Sequence, residues 1–293
     1  MNHEDTLTLK DGRTLAYTVH GAADGVPVFL FHGNPGSRYM RHPDENIADR
    51  LGVKLITPDR PGYGLSDFQK KRRYLDMGDD IAQLADALKI AHFGVMGISA
   101  GAPYVTATAY ALRERVKVGA IISGVAPLDR PGGLDNVAED YRIAYQTSRW
   151  PRPLLRLLMS LQMRSESRNP TRAWHNVLLR ANEYDQAILQ QPQYAEQVRG
   201  WRGEAVRDGV RGWVHEAKMI VGKWAIPLNA ITAPVHLWYW QYDTLTPLQM
   251  GQYYEKVLPN TTPYFMEGGG HFAFFEHWEA ILGALVEDYR RAT

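Results

Sequence analysis

Short apolar runs recur along this chain at intervals long enough to hold a helix between them. VPVFLF occupies 26–31, VKLITP 53–58, HFGVMGI 92–98, VKVGAIIS 116–123 and PVHLWYW 234–240. Runs that are apolar at nearly every position, rather than at every second one, suit strands covered on both faces. The stretches between them carry the longer helical period: from Asp79 to Leu88, Ile81, Leu84, Ala85 and Leu88 share one face. Beyond 240 the pattern predicts a helix over 247–257, a strand over 262–266 and a last helix over 277–290. Such alternation means an α/β fold with a doubly wound, mostly parallel sheet. Ahead of it, TLTLKDGRTLAYTVHG alternates on both sides of the turn pair Asp11-Gly12, which predicts an antiparallel N-terminal edge.

Between about Pro127 and Leu228 this rhythm stops. The stretch is rich in Arg, Gln and Trp, and Leu154, Leu155, Leu158 and Leu161 have helical spacing. It reads as a helical insertion over 127–228 in a core domain made of 1–126 and 229–293. Five of the eight tryptophans lie in it: Trp150, Trp174, Trp201, Trp213 and Trp224. Most are expected to form the insertion's own small core, with a few facing an apolar pocket.

Composition narrows the chemistry. The 293 residues suit one large domain with an insertion, and 33 basic residues nearly balance 32 acidic ones. That balance points to neither nucleic acid nor an anionic surface as a partner. There is no cysteine, so disulfides, thiolate metal sites and cysteine nucleophiles drop out. The polar start MNHEDTLTLKDG, and runs well short of the roughly 18 apolar residues of a membrane span, lead to the expectation of a cytoplasmic chain without membrane insertion.

The clearest chemical signal is GISAG at 97–101. Gly-x-Ser-x-Gly between a strand and a helix running to Leu112 forces a tight turn that lifts Ser99 to the carboxyl end of the sheet. The amide of Ala100, at the start of that helix, faces the same way. A serine hydroxyl needs a base, and the base needs a group to orient it. Of the ten histidines, His3 and His92 lie at segment ends and His175 and His215 fall in the insertion. His271 follows three glycines in EGGGHFAFFEH, directly after the last predicted strand, where it can bend over the sheet. Asp243 ends the preceding strand in WYWQYDTLTP; by position alone it is either the acid or a turn-capping aspartate. Asp129 is the second candidate for the acid, and Glu267 lies too near His271 in sequence. The loop FHGNPGS at 31–37 offers the backbone N–H of Asn34 as a partner to that of Ala100 in an oxyanion hole. Its crowding suggests a cis Asn34–Pro35 bond, and His32 is expected to brace it.

HGNPGS, DRPGYGLSD at 59–67, GISAG, YDTLTP and GGGHF, in this order, resemble the motifs of the capped α/β-hydrolase superfamily, in its esterase, haloperoxidase-like and epoxide-hydrolase-like branch. The likeness runs from about residue 5 to 290 and is weakest in the insertion, which corresponds to that family's cap. It implies a Ser99, Asp243, His271 triad, because serine, acid and base stand in that family's chain order, and it makes DRPGYGLSD a structural loop. Where relatives carry a small pair before the acid loop, this chain has Tyr239-Trp240. Ser99 sets it apart from dehalogenases and epoxide hydrolases, which use aspartate. The expected activity is cleavage of small to medium, rather apolar carboxylic esters through an acyl-enzyme, with no metal or organic cofactor. Carbon–carbon bond hydrolysis, lactonase and proline iminopeptidase-like activity are alternatives on the same triad; a low-turnover ligand receptor or an interaction protein would come from another class. The oligomeric state stays open, a homodimer being one option.

Overall fold

The computed structural model describes residues 3–293. Its centre is a single eight-stranded sheet in the order β1-β2-β4-β3-β5-β6-β7-β8. The strands are β1 His3–Thr8, β2 Thr14–Gly21, β3 Val26–Phe31, β4 Val53–Pro58, β5 Phe93–Ile98, β6 Val116–Ile122, β7 Val235–Trp240 and β8 Thr261–Met266. β1 pairs antiparallel with β2 and β2 with β4, and every later pairing is parallel. The mostly parallel sheet and its antiparallel edge are therefore as the pattern predicts. At the hairpin only Gly12 of the expected turn pair has a positive φ, and Leu9 N–H closes a longer loop onto the Arg13 carbonyl.

Both faces of the sheet are covered, which is why its central strands read as unbroken apolar runs. Alternate residues go to opposite sides, as the two-residue period of a strand requires. Phe29, Phe31, Val95, Ile121, Leu237 and Tyr239 pack into one layer with helices α2 (Asp76–Ala87) and α3 (Ala102–Ala111). Val28, Leu30, Met96, Ile98, Ile122 and Trp238 pack into the other with α1 (Asn46–Arg50) and the last helix, Trp278–Ala292. Each such side chain contributes about 1.5–3 kcal/mol on burial. The helix expected from Asp79 begins three residues earlier, at Asp76.

Between β6 and β7 lie six helices: α4 Glu139–Thr147, α5 Arg152–Arg168, α6 Pro170–Arg180, α7 Glu183–Leu189, α8 Pro192–Ala205 and α9 Arg211–Ile220. Helices α10 (Leu248–Val257) and α11 (Trp278–Ala292) complete the chain. The tryptophans of this segment do not form one common core. Trp224 meets Tyr74 in a layer of the main sheet, Trp201 stacks on Phe275 in the other, and Trp213 borders a small cluster with Leu155, Met159 and Val214. Trp150 is exposed, and Arg199 lies over the Trp174 ring.

Candidate active site

Ser99 follows β5 without an intervening loop and opens a short 3-10 turn that runs into α3. Its φ is +56°, a left-handed conformation that costs an L-residue of order 1–3 kcal/mol and persists only where the surroundings enforce it. Gly97 and Gly101 do so: a Cβ on Gly101 would stand 2.2 Å from the Phe31 carbonyl oxygen, and one on Gly97 2.6 Å from that of Gly101. The turn is thereby pressed onto the end of β3. The following loop lies against it, since a Cβ on Gly33 would be 3.4 Å from Ser99 Cβ.

His271 and Asp243 meet at the carboxyl ends of β8 and β7, on the sheet edge that also carries Ser99. His271 Nδ1 lies 2.9 Å from Asp243 Oδ2, and both side chains are buried. The other oxygen, Oδ1, accepts the N–H groups of Leu245 and Thr246, each at 2.9 Å. Asp243 thus does both things its position allowed: it organises its own turn and it faces the histidine. The Thr246 hydroxyl lies 2.8 Å from Oδ2 and from the Ser123 carbonyl oxygen, and 3.1 Å from His271 Nδ1. Burial disfavours the Asp243 carboxylate, but the His271 charge and hydrogen bond, with the Thr246 donors, hold its pKa below the usual range. Burial also opposes charge on His271; Asp243, and then Asp185, more than offset it and raise its pKa above the usual 6.5. Asp129, the second candidate for the acid, is exposed instead, and among the described residues it has no hydrogen bond to His271. No hydrogen bond joins Ser99 Oγ to His271 among the described residues.

The Asn34 loop is held from behind. Asn34–Pro35 is cis. His32 is fully buried; its Nδ1 donates to the Gly33 carbonyl at 2.9 Å and its Nε2 accepts the Arg60 N–H at 3.2 Å, so it braces the loop as expected. Burial, then the Arg60 charge, push its pKa well below 6.5, leaving a neutral ring. The Arg60 guanidinium donates to the carbonyls of His32 and Gly33. In a trans peptide the N–H points opposite the carbonyl, so anchoring Gly33 C=O on Arg60 turns the Asn34 N–H away from Arg60. Among the described residues neither that N–H nor the N–H of Ala100 is given to another acceptor.

Two site-forming residues escape sequence reading. Glu216 on α9 is fully buried and receives Arg60, Arg72 at 3.1 Å, and the Tyr104 hydroxyl; the Tyr63 hydroxyl lies 2.7 Å from its Oε2 and 2.8 Å from Asn34 Oδ1. Burial opposes its charge, yet Arg60 and Arg72 keep its pKa below normal. Asp185 on α7 accepts the backbone N–H groups of His271 and Phe272. Its carboxylate occupies the place of a Cβ at Gly270, 2.5 Å away, so one of the three glycines before His271 makes room for it. The expected Tyr239-Trp240 departure serves packing: the Tyr239 hydroxyl donates to the Gly124 carbonyl at 2.7 Å, and both residues are buried. Among the described residues no group of His, Asp and Glu side chains is placed to hold a metal ion.

Residues 26–277 match the model of a family described as alpha/beta hydrolase fold. The chain is 32% identical over 121 residues to the uncharacterized hydrolase YcgS of Bacillus subtilis, 41% of each chain. It is 26% identical over 99 residues to 3-oxoadipate enol-lactonase 1 of Acinetobacter baylyi, 34% of this chain and 37% of that one. The matches thus span about two-fifths of these curated relatives. A thermophilic esterase from Thermogutta terrifontis superposes with a TM-score of 0.68 at 22% identity, covering 100% of this chain and 99% of the esterase. At that identity the likeness is one of fold.

Proposed function

We propose, from the premise that this chain belongs to the alpha/beta hydrolase fold family, that it is a serine hydrolase of carboxylic esters. The observation that carries this reading is the 2.9 Å contact between His271 Nδ1 and Asp243 Oδ2, on the same sheet edge as a serine in left-handed conformation. In it, Ser99 Oγ attacks the ester carbonyl while its proton passes to His271 Nε2. The oxyanion is met by the N–H groups of Asn34 and Ala100. Collapse of the tetrahedral intermediate breaks the C–O bond, and His271 returns the proton to the leaving alcohol. Water then attacks the acyl-enzyme with the same base, releasing the acid and restoring the Ser99 hydroxyl. Asp243 holds the imidazole in the tautomer with Nδ1–H and stabilises its charged form. The helices between residues 127 and 228 are the cap over this edge, and apolar small to medium esters are the substrates we expect. No cofactor enters the reaction.

Lactones are the second reading, favoured by the name of the enol-lactonase relative. Their ring opening needs the same attack and the same oxyanion donors.

Treatment with a fluorophosphonate, followed by peptide mapping, tests the mechanism: one label at Ser99, and loss of aryl-ester turnover in Ser99→Ala, is expected. Normal turnover by Ser99→Ala would end it. Comparing open-chain esters with lactones as substrates separates the two readings.

A further inference from the structure

Helix α5 is apolar on two opposite sides. Leu155 and Met159 face inward onto α9 residues such as Val214 and Ala217. Leu154, Leu157, Leu158 and Leu161, spaced i, i+3, i+4 and i+7, face solvent with 44–56% of their surface exposed, and Trp150 just before the helix is exposed as well. One stray leucine on a surface means little, whereas contiguous exposed apolar patches mark interaction surfaces. The start of α5 is pinned, because Lys218 Nζ donates to the carbonyls of Ser148, Arg149 and Trp150.

The charge beside this stripe is one-sided. From Arg149 to Arg180 there are seven arginines and one acidic residue, Glu166. Glu166 is paired with Arg202 and Arg180 with Asp140. Among the described residues the other six, Arg149, Arg152, Arg156, Arg164, Arg168 and Arg172, form no ion pair. Arg164 and Arg168 follow Leu161 on the same side of the helix over the next two turns.

We infer that α5 lies on the surface of an anionic phospholipid bilayer, with its outer leucines and Trp150 among the upper acyl chains and its arginines on the lipid phosphates. A basic amphipathic helix with Trp and Leu on its apolar side has the chemistry such a surface recognises. A second copy of this chain matches it less well. A two-fold contact sets the patch against itself and brings the unpaired guanidiniums together with no carboxylate to receive them. The helix rests on the bilayer rather than crossing it; none in the described residues is long and apolar enough to span one. The inference does not depend on the ester-hydrolase reading.

Co-sedimentation of the full chain with vesicles tests it. Binding is expected to vesicles of phosphatidylcholine mixed with phosphatidylglycerol and not to phosphatidylcholine alone, and high salt should release it. Replacing Arg156, Arg164 and Arg168 together by Ser should lower partitioning roughly 100-fold, at about fivefold per arginine. Leu157→Ser with Leu161→Ser should also release the protein, with the melting temperature of both variants unchanged. No binding, equal binding to both vesicle types, or wild-type binding by both variants would overturn the inference. So would a dimer, seen by sedimentation velocity, that the leucine variant dissolves.

Discussion

Asp185 accepts the backbone N–H of His271 at 3.0 Å, and so ties a helix of the inserted segment to the chain that carries the candidate base. Its other oxygen takes the N–H of Phe272 at 2.8 Å, and Asn182 holds α7 in place by accepting the Asp185 N–H and donating to the Tyr242 carbonyl. Misplacing a catalytic group by an ångström costs about 100-fold in rate. Asp185→Asn, which keeps the shape and removes the charge, is expected to lower kcat/KM about 10- to 100-fold. It should also move the acid limb of the pH profile to lower pH, because one carboxylate that raises the His271 pKa is gone. A variant with an unmoved profile would reduce Asp185 to packing.

Asp243 and Asp129 are separated by one comparison. Asp243→Asn should lower kcat by about four orders of magnitude, since the imidazole loses the partner that fixes its tautomer. Asp129→Asn, at an exposed position, should leave kcat within a factor of about two. Steady-state rates on an aryl ester decide it.

The raised pKa of His271 has opposite consequences for activity and for stability. In the proposed role of base it must be neutral, so kcat/KM should rise with pH and its midpoint should lie above 6.5. The charged imidazole stabilises the fold fully below 6.5, and that contribution is lost as pH rises through the folded-state pKa. Rates and melting temperatures measured across the same pH series should therefore show activity rising while this ion pair's share of stability falls.

Glu216 is the counter-charge for two buried arginines. Glu216→Gln leaves Arg60 and Arg72 buried without a carboxylate, which costs about 3–5 kcal/mol. The expected result is a large fall in the urea midpoint, with kcat reduced more than KM is changed, since Arg60 also holds the carbonyls of His32 and Gly33. An unchanged midpoint would show that the arginines do not depend on Glu216.

Much of this was legible in the chain because it is local. Glycines at 97 and 101 are needed where a strand turns at once into a helix against a neighbouring backbone, and Ser99, Asp243 and His271 each follow shortly after an apolar strand, which puts all three at the carboxyl ends of parallel strands. Asp185 was not legible. It stands 86 residues from His271 in a helix whose own pattern is ordinary, and only the docking of α7 brings the two together. Glu216 is a further case, 156 residues from Arg60. The arginines around α5 stand in the sequence, but the even net charge says nothing of their partners, and that six of them form no ion pair among the described residues is decided by packing.

By itself the sequence determined the succession of strands and helices along the chain, the tight turn at Ser99 and the identity of the groups at the sheet edge, because strand period, glycine placement and turn chemistry act over a few residues. The tertiary structure decided which carboxylate faces His271, what holds the Asn34 loop, and which leucines of α5 stay in solvent. Those depend on how the helices between β6 and β7 pack, and packing joins residues whose separation along the chain leaves no periodic trace.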